Sequence, residues 1–187
     1  MTEVTEMYSE IAVAIAVWNS LESDFIELLG ALSSDPYAIA VISVRVGSES
    51  VCESLRSLAR DRVDEPLVSH VDQATKAFSI LREYRNQFVH RVTCVIPGDP
   101  PRAFTYARRA KNGLEIDRGE LTLADLSRWQ EGMKNLSHYV TWISSQVTWH
   151  RNALDDPPQA FRAKASEVDL MDLPMPLNRP WIAWDAE

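Results

Sequence analysis

The feature that most constrains the fold of this chain is a long run of apolar residues at helical spacing in its last third. The residues of this run follow one another in steps of three or four: Leu126, Trp129, Met133, Leu136, Val140, Ile143 and Val147. Such steps place all the side chains on one face of a helix. A helix with one apolar face has to bury that face against other elements. The rest of the chain must therefore supply those elements.

Three earlier segments also carry helical patterns. We predict a first helix over about residues 7–32, a second from Pro36 to about residue 63, and a third from Pro66 to about residue 91. Asp35 before Pro36 is a typical helix start, and Gly47 weakens the second helix, so we expect a kink or a break near it. Thr122 favours the start of the fourth helix. Four such helices predict an all-α protein, an antiparallel four-helix bundle about 40 Å long.

The segment between the third and fourth helices has a different character. Residues 92–96 are mostly β-branched, residues 103–107 form a second candidate strand, and Lys111-Asn112-Gly113 is a typical hairpin turn before a third. We therefore predict a small β-hairpin insert of two or three strands over residues 92–118, within a bundle domain of residues 1–150. Residues 151–187 are rich in proline and are predicted to form an irregular tail that packs on the bundle or on a partner.

Composition and charge favour a cytoplasmic protein with one local anion-binding region. The chain has 187 residues, two cysteines, no apolar run long enough to cross a membrane and no basic flank of a signal peptide at its start. Its net charge is −8, yet residues 76–118 hold nine Lys and Arg against four Asp and Glu, a net charge of +5. An acidic body with one basic segment argues against indiscriminate binding of nucleic acid and is compatible with a localised site. The histidines lack partners at ligand spacing, so we expect no metal and no cofactor.

The end of the third helix carries the candidate site. Its apolar stripe runs through Leu67, Val71, Ala74, Phe78 and Leu81, and the next position at this spacing is Arg85. An arginine at a core position is costly unless a partner or a cleft receives it. Asn86 and His90 are four residues apart and share one helix face, which Arg82 extends by one turn.

The segment Arg85-Asn86-Gln87-Phe88-Val89-His90 resembles the signature of the HEPN superfamily (higher eukaryotes and prokaryotes nucleotide-binding domain), in which an arginine and a polar residue precede a histidine by a short spacer. The similarity in layout covers about residues 7–150. It implies an all-α bundle, a homodimer in which both copies of the motif line one cleft, and metal-independent cleavage of RNA, in a toxin–antitoxin or phage-defence setting with an antitoxin or another protein partner. One toxin branch carries a tyrosine two positions after the histidine, where this chain has Val92, so the resemblance does not extend to that branch.

The residue types fit such a reaction. Histidine titrates near neutrality, so His90 can serve as general acid or base, and Arg85 offers a charged donor fork for the scissile phosphate. Asn86 can hold the phosphate or orient His90. Other arginines are candidates to guide the RNA strand: Arg82, Arg91, Arg102, Arg108 and Arg109. Glu22 interrupts the apolar stripe of the first helix, and we expect it to pair with Arg85 as structural support.

The same residues also permit a non-catalytic interpretation. Cations near the carboxyl end of a helix also complement its dipole, and an inactive HEPN-like scaffold that binds a protein partner or a nucleotide carries the same pattern. Loss of chelator-resistant RNA cleavage on replacement of His90 separates the two hypotheses.

Overall fold

The protein is mostly helical, with one small antiparallel sheet. The computed structural model describes residues 3–43, 45–89, 92–97, 102–109, 115–152 and 165–174. In chain order the elements are α1 (Glu3–Leu32), α2 (Pro36–Ser43), α3 (Ser48–Arg62), α4 (Glu65–Val89), β1 (Val92–Ile96), β2 (Arg102–Arg109), β3 (Glu115–Leu121) and α5 (Leu123–Asn152). A short 3-10 turn follows over Ala165–Glu167. None of the described helices is long and apolar enough to cross a membrane.

The second predicted helix is two helices, α2 and α3. Gly47 lies immediately before α3 with extended backbone angles (φ −72°, ψ 158°) and supplies no side-chain cap. The break therefore falls at Gly47. Apart from proline, glycine is the least favourable residue in a helix interior. At the start of α2, the Asp35 carboxylate accepts a hydrogen bond from the Ala38 backbone N–H at 3.0 Å, which confirms the predicted cap.

A reciprocal cap begins α5, where the sequence predicts it. The Thr122 hydroxyl accepts the Asp125 backbone N–H at 3.2 Å, and the Asp125 carboxylate accepts the Thr122 backbone N–H at 3.0 Å. The Thr122 hydroxyl also donates to the same carboxylate at 2.8 Å. Two otherwise unpaired N–H groups are thus satisfied, and the acidic side chain favours the positive end of the helix dipole.

The insert is a three-stranded antiparallel sheet in the order β1-β2-β3. Val95 pairs with Ala103, and Ala103 pairs with Leu121, so one row of residues crosses all three strands. All three are buried. Burial of these three side chains stabilises the sheet, because short strands on their own are only marginally stable in water.

The described residues fall into two compact units. The first contains the start of α1 up to Trp18 and residues 80–132, which include the sheet. Its buried residues include Met7, Trp18, Leu81 and Trp129. The amide of the buried Gln130 donates to the Glu10 carboxylate at 2.9 Å, which fixes α1 against α5 within this unit.

The second unit contains residues 19–79 and the described residues from 133 to 174. Phe25 of α1 and Phe78 of α4 lie at its centre with ring centroids 4.3 Å apart, and both are almost fully buried. The Ser137 hydroxyl of α5 donates to the Asp24 carboxylate of α1 at 2.5 Å. The aromatic contact thus joins α1 to α4, and the polar contact joins α1 to α5.

Candidate functional site

The buried stripe of α4 leads to the candidate site, as the sequence predicts, but it continues through a different residue. Leu67, Val71, Ala74, Phe78 and Leu81 are all buried. The next buried side chain is Tyr84, at 4% exposure, whereas Arg85 is half-buried. Arg85 therefore lies on the flank of the stripe and not at its centre.

The structure gives a physical reason for this shift. Ala77, Leu81 and Tyr84 follow the same four-then-three spacing as the predicted row, and Ala77 is fully buried. Two rows of buried residues thus meet at Leu81, and beyond it the helix buries the Tyr84 ring and leaves the Arg85 guanidinium at the edge. A half-buried arginine avoids most of the desolvation cost of a core arginine and keeps its donors within reach of a ligand.

Trp129 of α5 holds this part of α4 in place. Its Nε1–H donates to the Leu81 carbonyl oxygen at 3.2 Å in a buried contact. Its ring stacks on the Tyr84 ring, with centroids 6.0 Å apart and an interplanar angle of 9°. This hydrogen bond and this aromatic stack therefore help to fix the part of α4 that carries Arg82, Arg85 and Asn86.

Tyr84 is the residue of this region that sequence reasoning missed. Burial raises the pKa of its hydroxyl, the Arg128 guanidinium lowers it in part, and the Asp125 carboxylate raises it further. The side chain is therefore a neutral phenol at physiological pH. Its signal was present in the sequence, since it is three residues beyond Leu81 on a helical face.

The predicted site residues of α4 lie in its last two turns. Arg82, Arg85 and Asn86 are all half-buried. Their backbone is helical through Val89, so Arg82 and Asn86 lie one turn apart on the same side. His90 and Arg91 lie outside the described residues.

The predicted strand-guiding arginines of the insert lie on β2. Arg102 is exposed and forms an ion pair with Glu120 of β3 at 2.9 Å. In the sheet register, Arg108 pairs with Ile116 and Arg109 with Glu115, while the side chains of both arginines lie outside the described part of the structure. Part of the positive charge of β2 is thus compensated by Glu120.

Glu22 of α1 is half-buried, and its carboxylate accepts a hydrogen bond from the Ser48 hydroxyl at 3.3 Å. Ser48 is the first residue of α3, so this contact ties the start of α3 to α1. The pairing of Glu22 with Arg85 stays a prediction.

Within the part of the chain that the structure describes, no group of three or more His, Cys, Asp and Glu side chains is placed to hold a metal ion. Comparison of the chain with protein-family models, with curated proteins and with solved structures yields no match.

Proposed function

We propose that this protein is a metal-independent endoribonuclease of the HEPN type, built on an antiparallel four-helix bundle and active as a homodimer in a toxin–antitoxin or phage-defence setting. The observation that carries the proposal is the placement of Arg85 and Asn86. Both are half-buried in the last two turns of α4, beside the Tyr84–Trp129 stack and shortly before His90 in the chain. A helix end held in this way keeps a charged donor fork partly desolvated, which strengthens its interaction with a phosphate.

The proposed reaction uses the RNA's own 2′-hydroxyl as nucleophile. The 2′-oxygen loses its proton and bonds to the adjacent phosphorus, and the bond from phosphorus to the 5′-oxygen breaks. The products are a 2′,3′-cyclic phosphate and a 5′-hydroxyl end, which receives a proton. His90 exchanges one of these protons, and Arg85 stabilises the charge on the phosphorus oxygens.

Two-fold symmetry would give this cleft two copies of each residue, because an isologous interface repeats every contact. One His90 then accepts the proton of the 2′-hydroxyl while the other donates to the leaving 5′-oxygen. Asn86, four residues before His90 in the chain, would hold the phosphate or orient the imidazole. Arg82, Arg91, Arg102, Arg108 and Arg109 guide the strand towards the cleft.

The experiment is RNA cleavage in the presence of excess chelator. The purified protein should convert a mixed-sequence RNA to fragments with cyclic phosphate ends, and the variant His90→Ala should lose this activity by about 100-fold or more. The matched control is His138→Ala, since His138 is an exposed histidine of α5, and it should cleave like the parent protein.

Arg85→Lys sharpens the test, because lysine keeps the charge and loses the planar donor fork. We expect its cleavage rate to fall by about 100-fold at unchanged helicity. Light scattering during size-exclusion chromatography should show a dimer in all variants. Absence of cleavage by a folded, dimeric parent protein, or cleavage retained in His90→Ala, would overturn the proposal and favour a binding scaffold.

A further inference from the structure

A short segment near the carboxyl end of the chain is held on α4 by two of its main-chain carbonyl groups. We call residues 165–174 the tail segment. The Ala165 carbonyl oxygen accepts a hydrogen bond from His70 Nε2, and the Met171 carbonyl oxygen accepts one from Gln73 Nε2, both at 2.8 Å. Because both acceptors are backbone groups, these two hydrogen bonds position the tail segment without using any of its side chains.

The anchor at Ala165 is itself held in place. His70 is 2% exposed, and its Nδ1 lies 2.5 Å from the Tyr139 hydroxyl oxygen of α5. The Trp142 ring meets the His70 ring edge-on, with centroids 4.9 Å apart, and stacks on the Tyr139 ring at 5.9 Å. Contacts from α5 thus hold the imidazole that binds Ala165, so the tail segment is attached to a well-packed part of the protein.

The side chains of the tail segment follow a repeat of three residues. Half-buried side chains recur at every third position: Ala165, Val168, Met171 and Pro174. The six residues between them are exposed. Ala165 and Met171 also supply the two carbonyl anchors. Three residues per turn place positions i and i+3 on the same side of a chain, so two further rows of side chains are left to face solvent.

The two leucines of the tail segment lie in these outer rows. Leu170 and Leu173 are 48% and 45% exposed, whereas the smaller Ala165 is half-buried. A segment that served only to cover the helices would bury its leucines in preference to its alanine, because burial of the larger apolar side chain is more favourable. Two exposed leucines three residues apart on an anchored segment are therefore typical of a surface that binds another molecule.

The charge of the tail segment indicates the kind of molecule that fits. The segment contains no lysine or arginine and three carboxylates: Glu167, Asp169 and Asp172. Asp169 and Asp172 are exposed next to the leucines in sequence, and neither forms an ion pair with a residue that the structure describes. Carboxylates beside leucines are complementary to an apolar groove bordered by cations. The same carboxylates repel nucleic acid and anionic lipid.

We propose that the tail segment is a preformed docking motif, which inserts Leu170 and Leu173 into an apolar groove bordered by lysine and arginine on a partner protein. The carboxylates of Asp169 and Asp172 face the basic border of that groove. Because the two anchors on α4 already hold the segment, the partner does not have to order it, which lowers the entropic cost of binding. This docking motif is separate from the residues proposed for RNA cleavage.

The test uses the full-length protein and a designed helical hairpin as the probe. The two helices of the hairpin form a groove lined by leucine and alanine and bordered by lysine, and a control hairpin carries glutamate at the lysine positions. Affinity is measured by fluorescence polarisation of the labelled hairpin. We expect the lysine hairpin to bind at least about 10-fold more tightly than the glutamate hairpin at low salt. It should also shift the NMR methyl signals of Leu170 and Leu173.

Two double variants separate the leucines from other exposed apolar residues. Leu170→Ser with Leu173→Ser should weaken binding of the lysine hairpin by about 10-fold or more, since both apolar contacts are lost. The matched control is Tyr37→Ser with Val41→Ser on α2, whose side chains are 81% and 56% exposed, and it should bind like the parent protein. Gln73→Ala removes one anchor and keeps the leucines, and it should weaken binding by about 3-fold.

The proposal is overturned if the leucine variant binds the lysine hairpin like the parent protein, or if the α2 variant loses as much affinity as the leucine variant. It is also overturned if the lysine hairpin binds no more tightly than the glutamate hairpin. Size-exclusion chromatography with light scattering tests for a different occupant. If the leucine variant changes the oligomeric state of the protein in the absence of hairpin, the leucines contact a second copy and the proposal is wrong.

The four residues replaced in the double variants are exposed, so both variants should keep the helicity of the parent protein, measured by far-UV circular dichroism. None of these results bears on the proposed nuclease activity, because that activity is measured separately through His90.

Discussion

Replacing Trp129 by phenylalanine should destabilise the protein by about 2–3 kcal/mol. Trp129 is 1% exposed and donates to the Leu81 carbonyl. Loss of this hydrogen bond removes about 1 kcal/mol. The smaller ring gives up roughly 40 Å² of buried apolar area, or about 1 kcal/mol, and the space left behind adds to the cost. The free energy of unfolding can be measured by urea denaturation followed by far-UV circular dichroism.

The matched control is Trp149→Phe, in the same helix. Trp149 is half-buried, so we expect a loss below about 1 kcal/mol. The Leu81 carbonyl is also the helical acceptor of the Arg85 N–H, so Trp129→Phe should change the exchange rate of the Arg85 amide, and the control should not. If the two variants are equally stable, or if Trp129→Phe lies within about 0.5 kcal/mol of the parent protein, Trp129 does not hold the end of α4 as argued.

Three further predictions concern the helix cap, the buried phenol and the insert. Thr122→Ala should lower the free energy of unfolding by about 1 kcal/mol, measured by urea denaturation, whereas Thr141→Ala at an exposed interior position of α5 should not lower it. Burial raises the pKa of Tyr139 from 10.0 to about 12, so between these pH values the unfolded chain loses the phenol proton more readily than the folded protein. The free energy of unfolding is therefore unaffected below pH 10 and falls between pH 10 and 12. The loss should be less than about 3 kcal/mol, because the Tyr139 ring is partly solvated. Thermal unfolding across this range should show the loss in the parent protein and less of it in Tyr139→Phe. Glu120→Gln removes the negative charge that pairs with Arg102 and should strengthen RNA binding at low salt, measured by fluorescence polarisation. An unchanged or weaker affinity would exclude Arg102 from the RNA-binding surface.

The helices could be predicted from the sequence because their information is local. Apolar residues repeat every three or four positions, and Asp35, Gly47 and Thr122 mark where helices start or break. The same reasoning placed the strands of the insert, since β-branched runs and turn residues alternate there. Local patterns determine which element a residue belongs to and which of its faces is apolar.

The position of Arg85 shows what local sequence patterns cannot predict. Two helical rows pass through Leu81, one leading to Tyr84 and one to Arg85, and spacing alone does not separate them. The choice follows from Trp129, which lies 48 residues beyond Leu81 and stacks on Tyr84. Tertiary contact therefore decides which row is buried.

Residues 165–174 show the same limit more strongly. His70 and Ala165 are 95 residues apart in sequence, and their contact is to a carbonyl group that every residue carries. Recognition of a main chain leaves no residue-specific signal at the recognised position. The proline content of the tail excluded a long helix, but it contained no information about the side chains of His70 and Gln73, which contact this segment.

The predicted pairing of Glu22 with Arg85 can be tested against the contact that Glu22 makes with Ser48. In a double-mutant cycle of Glu22→Gln and Ser48→Ala, we expect a coupling of about 0.5–1 kcal/mol, because one charge-assisted hydrogen bond of 3.3 Å joins them. A second cycle of Glu22→Gln and Arg85→Met reports on the predicted pair. A coupling above about 1 kcal/mol would establish it, since removing one partner of a buried pair leaves the other charge uncompensated. A coupling energy near zero between Glu22 and Arg85, with a measurable one between Glu22 and Ser48, would contradict the predicted pair. Glu22 would then serve to fix the start of α3. The orientation of Arg85 would then have to come from residues other than Glu22.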